Sequence, residues 1–270
     1  VVSLNSIGEN EQEGSRMSVE YRREGRIAII TLNRPEKLNA ISPEMYEEIS
    51  ARLQEIDRDP EVWVGIVTGA GRAFSAGADL LTMHDPNLQG PGWRPIRPDR
   101  FDQGLAVQKP LIAAVNGYCL AGGLELALFC DIRIAAEDAQ FGCPEVRWNL
   151  LHGYGAMRLP QLIGLSQTLY LLLTGEFIDA REAHRIGLVH EVVPKERLME
   201  RALALAGRIC QNAPLAVRMS KELALRSSEM SLTAGVQLYQ EFVRILNNTE
   251  DGREGDRAFR ERRPPEYKAR

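Results

Sequence analysis

The chain lacks the marks of a membrane protein, a disulfide scaffold or a nucleic-acid binder. Its most apolar region, residues 111–136, is broken by Asn116, several glycines, Glu125 and Asp131, whereas a membrane span needs about 20 mostly apolar residues in a row. Residues 1–16 have no apolar centre and carry Glu9, Glu11 and Glu13. A secretory leader needs such a centre and transit peptides are poor in acids, so a disordered N-terminal extension is expected there, with Met17 a candidate start. Only four cysteines occur (Cys119, Cys130, Cys143 and Cys210), and their spacing fits neither a metal site nor a redox pair. They read as reduced, buried thiols of a cytoplasmic protein. The net charge of −4 supplies no positive field for a nucleic acid or a membrane surface. What remains, 270 residues with 44% apolar and 26% charged side chains, is an ordinary globular composition for one large domain or a domain with an appendage.

Residues 26–32, 62–68, 111–115 and 131–135 are short apolar or β-branched runs and read as strands. The run 62–68 is almost continuously apolar, as in a strand buried on both faces. Ser42-Pro43-Glu44 is a helix start: Ser42 caps, Pro43 suits the first helical position and Glu44 complements the dipole. Met45, Ile49, Leu53 and Ile56 follow at helical spacing, and Asp59-Pro60 ends the run. Residues 69–79 read as a turn-rich loop. Residues 84–103, rich in proline and glycine and including Trp93, read as a long surface loop, either a lid or disordered. A short helix is expected from near Gly123. Helical patterns then cover 162–173, 180–186, 196–211, 214–227 and 232–246, before a highly charged end at 248–270. Strands alternating with helices, then a helical tail, predict an α/β core with a C-terminal helical part.

The candidate chemistry lies in two small-residue turns and two glutamates. Gly69-Ala70-Gly71 lacks the third glycine of a dinucleotide fingerprint, because Phe74 stands there. Ser75-Ala76-Gly77-Ala78 and Ala121-Gly122-Gly123 each follow an apolar segment and can present a bare N–H to a cleft. Two such donors converging on one carbonyl oxygen make an oxyanion hole, and a helix opening at Gly122 would add its dipole. The alternative is that the glycines merely permit close packing. Glu125 and Glu145 each follow such a turn among apolar residues. Buried carboxylates have shifted pKa values and suit acid–base work.

Motifs in order along the chain carry a family resemblance. They are Ile30-Thr31-Leu32-Asn33-Arg34-Pro35-Glu36-Lys37-Leu38-Asn39-Ala40, Phe74-Ser75-Ala76-Gly77-Ala78-Asp79-Leu80, Asn116-Gly117-Tyr118-Cys119-Leu120-Ala121-Gly122-Gly123-Leu124-Glu125, and Cys130-Asp131-Ile132-Arg133-Ile134-Ala135. Together they resemble the enoyl-CoA hydratase/isomerase (crotonase) superfamily, closest to its two-glutamate hydratases. Later segments agree, among them Gly187-Leu188-Val189 and Val192-Val193-Pro194.

The resemblance implies a crotonase-type α/β spiral of ββα units over residues 17–205. It implies a C-terminal helical oligomerisation region over 206–270, used in a homotrimer or a dimer of trimers. It also implies an acyl-CoA substrate, with coenzyme A as part of that substrate and no separate cofactor or metal. The backbone N–H groups of Ala78 and Gly122 would form the oxyanion hole. Glu125 and Glu145 would hold one water and add it to a 2-enoyl-CoA, giving a 3-hydroxyacyl-CoA. Lys37, Leu38, Arg72, Ala76, Gly77, Asp79, Leu80 and Gly153 would contact substrate, and Phe259 and Lys268 would reach a neighbouring subunit's CoA.

The same resemblance leaves alternatives: an isomerase, which usually keeps only the glutamate at the Glu145 position; a hydratase of cyclic or aromatic acyl groups; a hydratase–lyase using Tyr154 or Tyr239; or a non-catalytic CoA- or RNA-binding member. The acids interleaved with the arginines of 253–263 argue against nucleic-acid contact. One departure stands out. After Glu145 the family's hydratases commonly carry Pro-Gly in a glycine-rich turn, whereas this chain has His152-Gly153. His152 reads either as a pH-active group near the site or as a satisfied polar side chain on a loop.

Overall fold

The computed structural model describes residues 17–83 and 96–270. The expected N-terminal extension at 1–16 and most of the loop around Trp93 lie outside the described residues.

Two sheets and a set of helices follow from the apolar runs. In chain order the elements are β1 (Val19–Glu24), β2 (Ile27–Leu32), α1 (Pro43–Arg58), β3 (Val64–Gly69), β4 (Ala73–Ser75), α2 (Leu80–Met83), β5 (Leu111–Val115), β6 (Tyr118–Leu120) and α3 (Gly122–Phe129). Then come β7 (Ile132–Ala136), β8 (Gln140–Gly142), α4 (Gly153–Thr174), β9 (Phe177–Asp179), α5 (Ala180–Arg185), β10 (Glu191–Val193), α6 (Leu198–Cys210), α7 (Pro214–Arg226), α8 (Leu232–Asn247) and α9 (Glu250–Glu261). Helix α1 starts as its sequence dictates: the Ser42 hydroxyl accepts from the Met45 N–H at 3.3 Å, and Met45, Ile49, Leu53 and Ile56 are buried.

A six-stranded sheet runs β1-β2-β3-β5-β7-β10 and a four-stranded sheet runs β4-β6-β8-β9. Strand β1 is antiparallel to β2, and the other pairs of the larger sheet are parallel. The chain therefore alternates: β3, β5 and β7 enter the larger sheet, and the strand after each, β4, β6 and β8, enters the smaller one. Each pair is followed by a helix, so successive ββα turns stack as a spiral. Strands β4, β6 and β8 are neighbours and parallel. Their carboxyl ends therefore come out side by side, the usual place for a site in an α/β architecture.

One apolar core lies between the sheets under α1, α3 and α4. A second lies on the outer face of the larger sheet, where Leu198, Ala202 and Ala206 of α6 cover Ile29, Val64, Ile66 and Ile112. Helix α7 packs on α8, and α8 on α9.

Several sequence expectations are corrected. Residues 69–79 are not simply a loop, because Ala73–Ser75 pair with β6 and are fully buried. The helix expected from residue 162 starts at Gly153 and bends at Gly164, whose φ is 75°. In the described part of the expected surface loop, Phe101 is fully buried and stacks on Tyr46 with centroids 5.4 Å apart.

Candidate active site

The turns after β4, β6 and β8 build one cleft of about 490 Å³. Burial alternates along the first turn as it runs into α2: Ala76, Ala78 and Leu80 are half-exposed, while Gly77 and Asp79 are buried. The half-exposed residues line the cleft. Ala78 forms a parallel bridge with Ile41. Its bonds run from the Ile41 N–H to Gly77 and from the Asp79 N–H to Ile41, at 2.8 and 2.9 Å. The N–H of Ala78 itself is therefore turned away from that bridge.

The second turn brings up the partner. Gly122 is the first residue of α3, so its N–H has no acceptor within the helix. Ala121 before it is held at φ 50°, ψ −129°, a strain of about 1–3 kcal/mol for a residue with a Cβ. Its N–H donates to the Gly142 carbonyl at 3.0 Å, which ties the turn to β8. Glycine is required where the two turns touch. A Cβ on Gly77 (φ 98°) would lie 2.5 Å from that of Ala121, and one on Gly122 would lie 3.6 Å from the Ala78 nitrogen. The N–H groups of Ala78 and Gly122 thus stand on adjacent segments of one wall. Their scaffold is fixed from behind, where the Ser75 hydroxyl donates to the Asn39 carbonyl at 2.8 Å and accepts from the Gly77 N–H at 3.1 Å.

Both glutamates open on this cleft. Glu125, in the first turn of α3, is buried, and its Oε1 accepts from the Gly155 N–H at 3.5 Å. Burial pushes its pKa up, His152 opposes the shift, and Glu145 adds to it. Glu145 sits in the short 3-10 turn Pro144–Trp148 after β8. Its Oε1 lies 2.6 Å from His152 Nδ1, and its Oε2 is buried with no hydrogen-bond partner among the described residues. His152 precedes α4 but does not cap it, and only 4% of it is exposed. Burial works against a charge on the ring, but Cys143 and Glu145 outweigh it and push its pKa up to about 10. The ring is thus not an exposed loop side chain: it is buried against a carboxylate, and its Nε2 has no hydrogen-bond partner among the described residues.

Of the residues singled out in the sequence, Ala76, Ala78, Leu80, Gly122, Glu125, Glu145 and Gly153 line the cleft together. Lys37, Leu38, Arg72, Gly77 and Asp79 do not. The Asp79 carboxylate lies 3.1 Å from Arg34 and 3.8 Å from Lys37. The Leu38 carbonyl accepts from the Ala76 N–H at 2.9 Å, and Arg72 is exposed in the β3–β4 loop.

Sequence reasoning missed Tyr46 and Asp102, which also line the cleft. A Cβ on Gly122 would lie 2.5 Å from the Tyr46 hydroxyl, so the phenol sits beside the second N–H. Tyr46 lies next to the apolar stripe of α1, and a phenol there needs a polar outlet. That was the available signal. Tyr46 and Tyr154, which line the cleft, are linked behind it through Phe101 and Phe129 in a chain of ring contacts. Among the described residues no cluster of side chains could hold a metal, and no helix is long and apolar enough to cross a membrane.

Comparison with known proteins gives a consistent picture. A family model described as enoyl-CoA hydratase/isomerase matches residues 22–270. A protein named "Probable enoyl-CoA hydratase" from Mycobacterium tuberculosis is 41% identical over 249 residues, covering 91% of this chain and 95% of its own. The 2,3-dehydroadipyl-CoA hydratase of Escherichia coli is 38% identical, covering 92% and 97%. The crystal structure of an enoyl-CoA hydratase from Bacillus anthracis superposes with a TM-score of 0.85 at 36% identity, covering 94% of this chain and all of the other.

Proposed function

The chain belongs to the enoyl-CoA hydratase/isomerase family and is a hydro-lyase that adds water to enoyl-CoA thioesters, and we propose the residue roles by which it does so. One observation carries the reading: Glu125 and Glu145 open on the same cleft as Ala78 and Gly122. The thioester oxygen of a 2-enoyl-CoA accepts from the N–H groups of Ala78 and Gly122. Electron density is drawn toward that oxygen and the β-carbon becomes electrophilic. Glu125 and Glu145 hold one water. As its oxygen bonds to the β-carbon, an O–H bond breaks and the proton passes to Oε2 of Glu145, which delivers it to the α-carbon. Negative charge gathers on the thioester oxygen and disperses as the α C–H bond forms. The sum is one water added, giving a 3-hydroxyacyl-CoA. Fixed donors aimed at developing charge need no reorganisation during reaction, and losing one such donor costs about 2.7–4 kcal/mol. The isomerase alternative, which needs only one carboxylate, is not favoured.

The nucleotide end of CoA is assigned to the outer side of the first turn, along Lys37, Leu38 and Arg72. Support comes from Lys37, which is half-exposed beside that turn and ion-paired to Asp79. Self-association as a homotrimer or dimer of trimers is assigned to the C-terminal helices. Leu232, Val236 and Tyr239 of α8 and Phe259 of α9 are exposed large apolar side chains there. A monomeric mass by light scattering would overturn that assignment. A reducing, cytoplasm-like compartment suits four unpaired cysteines.

The central test is the loss of enoyl-thioester absorbance on incubation with crotonyl-CoA and with longer and cyclic enoyl-CoAs. Turnover on at least one is expected. Intact CoA binding with no turnover on any of them would sink the reading.

A further inference from the structure

His152 stands outside the roles assigned so far. Its ring is buried between the two carboxylate-bearing elements. The groups that face it are Glu145 from the turn after β8, Cys143 at the start of that turn, and Glu125 from α3. A carboxylate only accepts hydrogen bonds, so with Nδ1 at 2.6 Å from Oε1 the ring nitrogen is the donor. The fold makes room for this contact: a Cβ at Gly155 would collide with the ring, and Gly155 also sends its N–H to Glu125. The start of α4 therefore serves both carboxylates, Glu145 through a side chain and Glu125 through the backbone.

Glu145 needs such a partner. It rides on a short 3-10 turn rather than a regular helix, and its Oε2 is buried without a partner among the described residues. A carboxylate free to rotate would exchange its two oxygens and lose its aim. We propose that His152 is a positioning residue of the hydration site, donating Nδ1–H to Oε1 of Glu145 so that Oε2 alone meets the water and the α-carbon. The proposal rests on the reading of the cleft as a hydration site. It predicts that chemistry, not substrate binding, suffers when the ring is removed. Misplacing a reacting group by about 1 Å costs on the order of 10²-fold in rate, so His152→Ala should lower kcat by about that factor with KM near wild type. His152→Asn, which keeps a short N–H donor, should recover part of the loss.

The test joins crotonyl-CoA kinetics to NMR of ¹⁵N-labelled protein, in which only four histidines contribute. A low-field Nδ1–H proton is expected from His152 in the wild type; it should move upfield in Glu145→Gln, where the acceptor is a neutral amide oxygen, and vanish in His152→Asn. A His152 signal unchanged by Glu145→Gln would overturn the proposal, as would wild-type kcat in His152→Ala. The NMR arm uses wild type and Glu145→Gln, so it stands even if the alanine variant does not fold. Should the wild type turn over no enoyl-CoA while the low-field proton still answers to Glu145→Gln, the hydratase reading fails and the pairing survives.

Discussion

Glu125 and Glu145 face the same cleft but are held by opposite means. Glu125 is carried by the first turn of α3, a helix whose other early side chains are buried, and accepts a hydrogen bond from the backbone N–H of Gly155. Burial sets its proton affinity. Glu145 hangs from the 3-10 turn Pro144–Trp148, most of which is at least partly exposed, and takes its aim from the side chain of His152. A carboxylate on a rigid element is positioned by its scaffold. One on a short turn needs a dedicated partner, and that partner brings a second titrating group into the site.

The largest expected effect tests whether the two differ in role as they differ in support. Positioned acid–base groups contribute about 10²–10⁴-fold. Glu145→Gln should therefore lower kcat by a factor near the top of that range, since it removes the proton carrier and leaves His152 only a neutral, weaker acceptor. Glu125→Gln should fall nearer the bottom. The double variant should lose less than the product of the two, because groups that share one water act as a unit. Steady-state kinetics on crotonyl-CoA decides. Equal single losses that multiply would mean two independent carboxylates and would break the comparison.

The same contrast separates what the sequence discloses from what it hides. Strands β2, β3 and β5 are legible because four or more apolar residues in a row have to be buried, β7 because β-branched residues flank Arg133, and the Ser42-Pro43 start of α1 because capping is local chemistry. The strands that deliver the site, β4, β6 and β8, are three residues each, too short for any periodicity to register. They exist because the spiral lays them side by side, which is a tertiary fact. Asp79 shows the consequence. The resemblance implies a substrate contact at Asp79, whose carboxylate pairs with Arg34 and does not line the cleft. The pairing of His152 with Glu145 is hidden for a related reason: the two lie seven positions apart, and only the path from β8 into α4 brings ring and carboxylate together.

A smaller effect is expected from the helix that carries Glu125. Gly122→Ala would set a methyl group 2.5 Å from the Tyr46 hydroxyl, so the Tyr46 side chain or the opening of α3 must shift. A displacement of this size should cost up to about 10²-fold in kcat, acting through the Gly122 N–H and Glu125 but not through the His152 contact. Adding Tyr46→Phe removes the hydroxyl and should restore part of the loss. If the double variant is no faster than Gly122→Ala, the steric account is wrong. If the low-field His152 proton changes in Gly122→Ala, the two carboxylates are not separately supported.

The smallest expected effect is on stability, and its sign differs from that of a typical ion-paired acid. Both groups have folded-state pKa values raised above their ordinary ones, so each stabilises fully below its unfolded pKa and loses that contribution as pH rises through the folded value. For Glu125 the loss begins near pH 4.5. For His152 it begins near 6.5 and is complete above about 10. Tm measured across this range should fall with rising pH in the wild type, other groups aside. Glu125→Gln should flatten the curve only at its acidic start, whereas His152→Asn should flatten it between pH 6.5 and about 10. An unaltered slope in His152→Asn across that interval would mean that a neutral imidazole holds Glu145. The hydrogen bond would then be the whole of the support, and the charge on the ring would play no part in it.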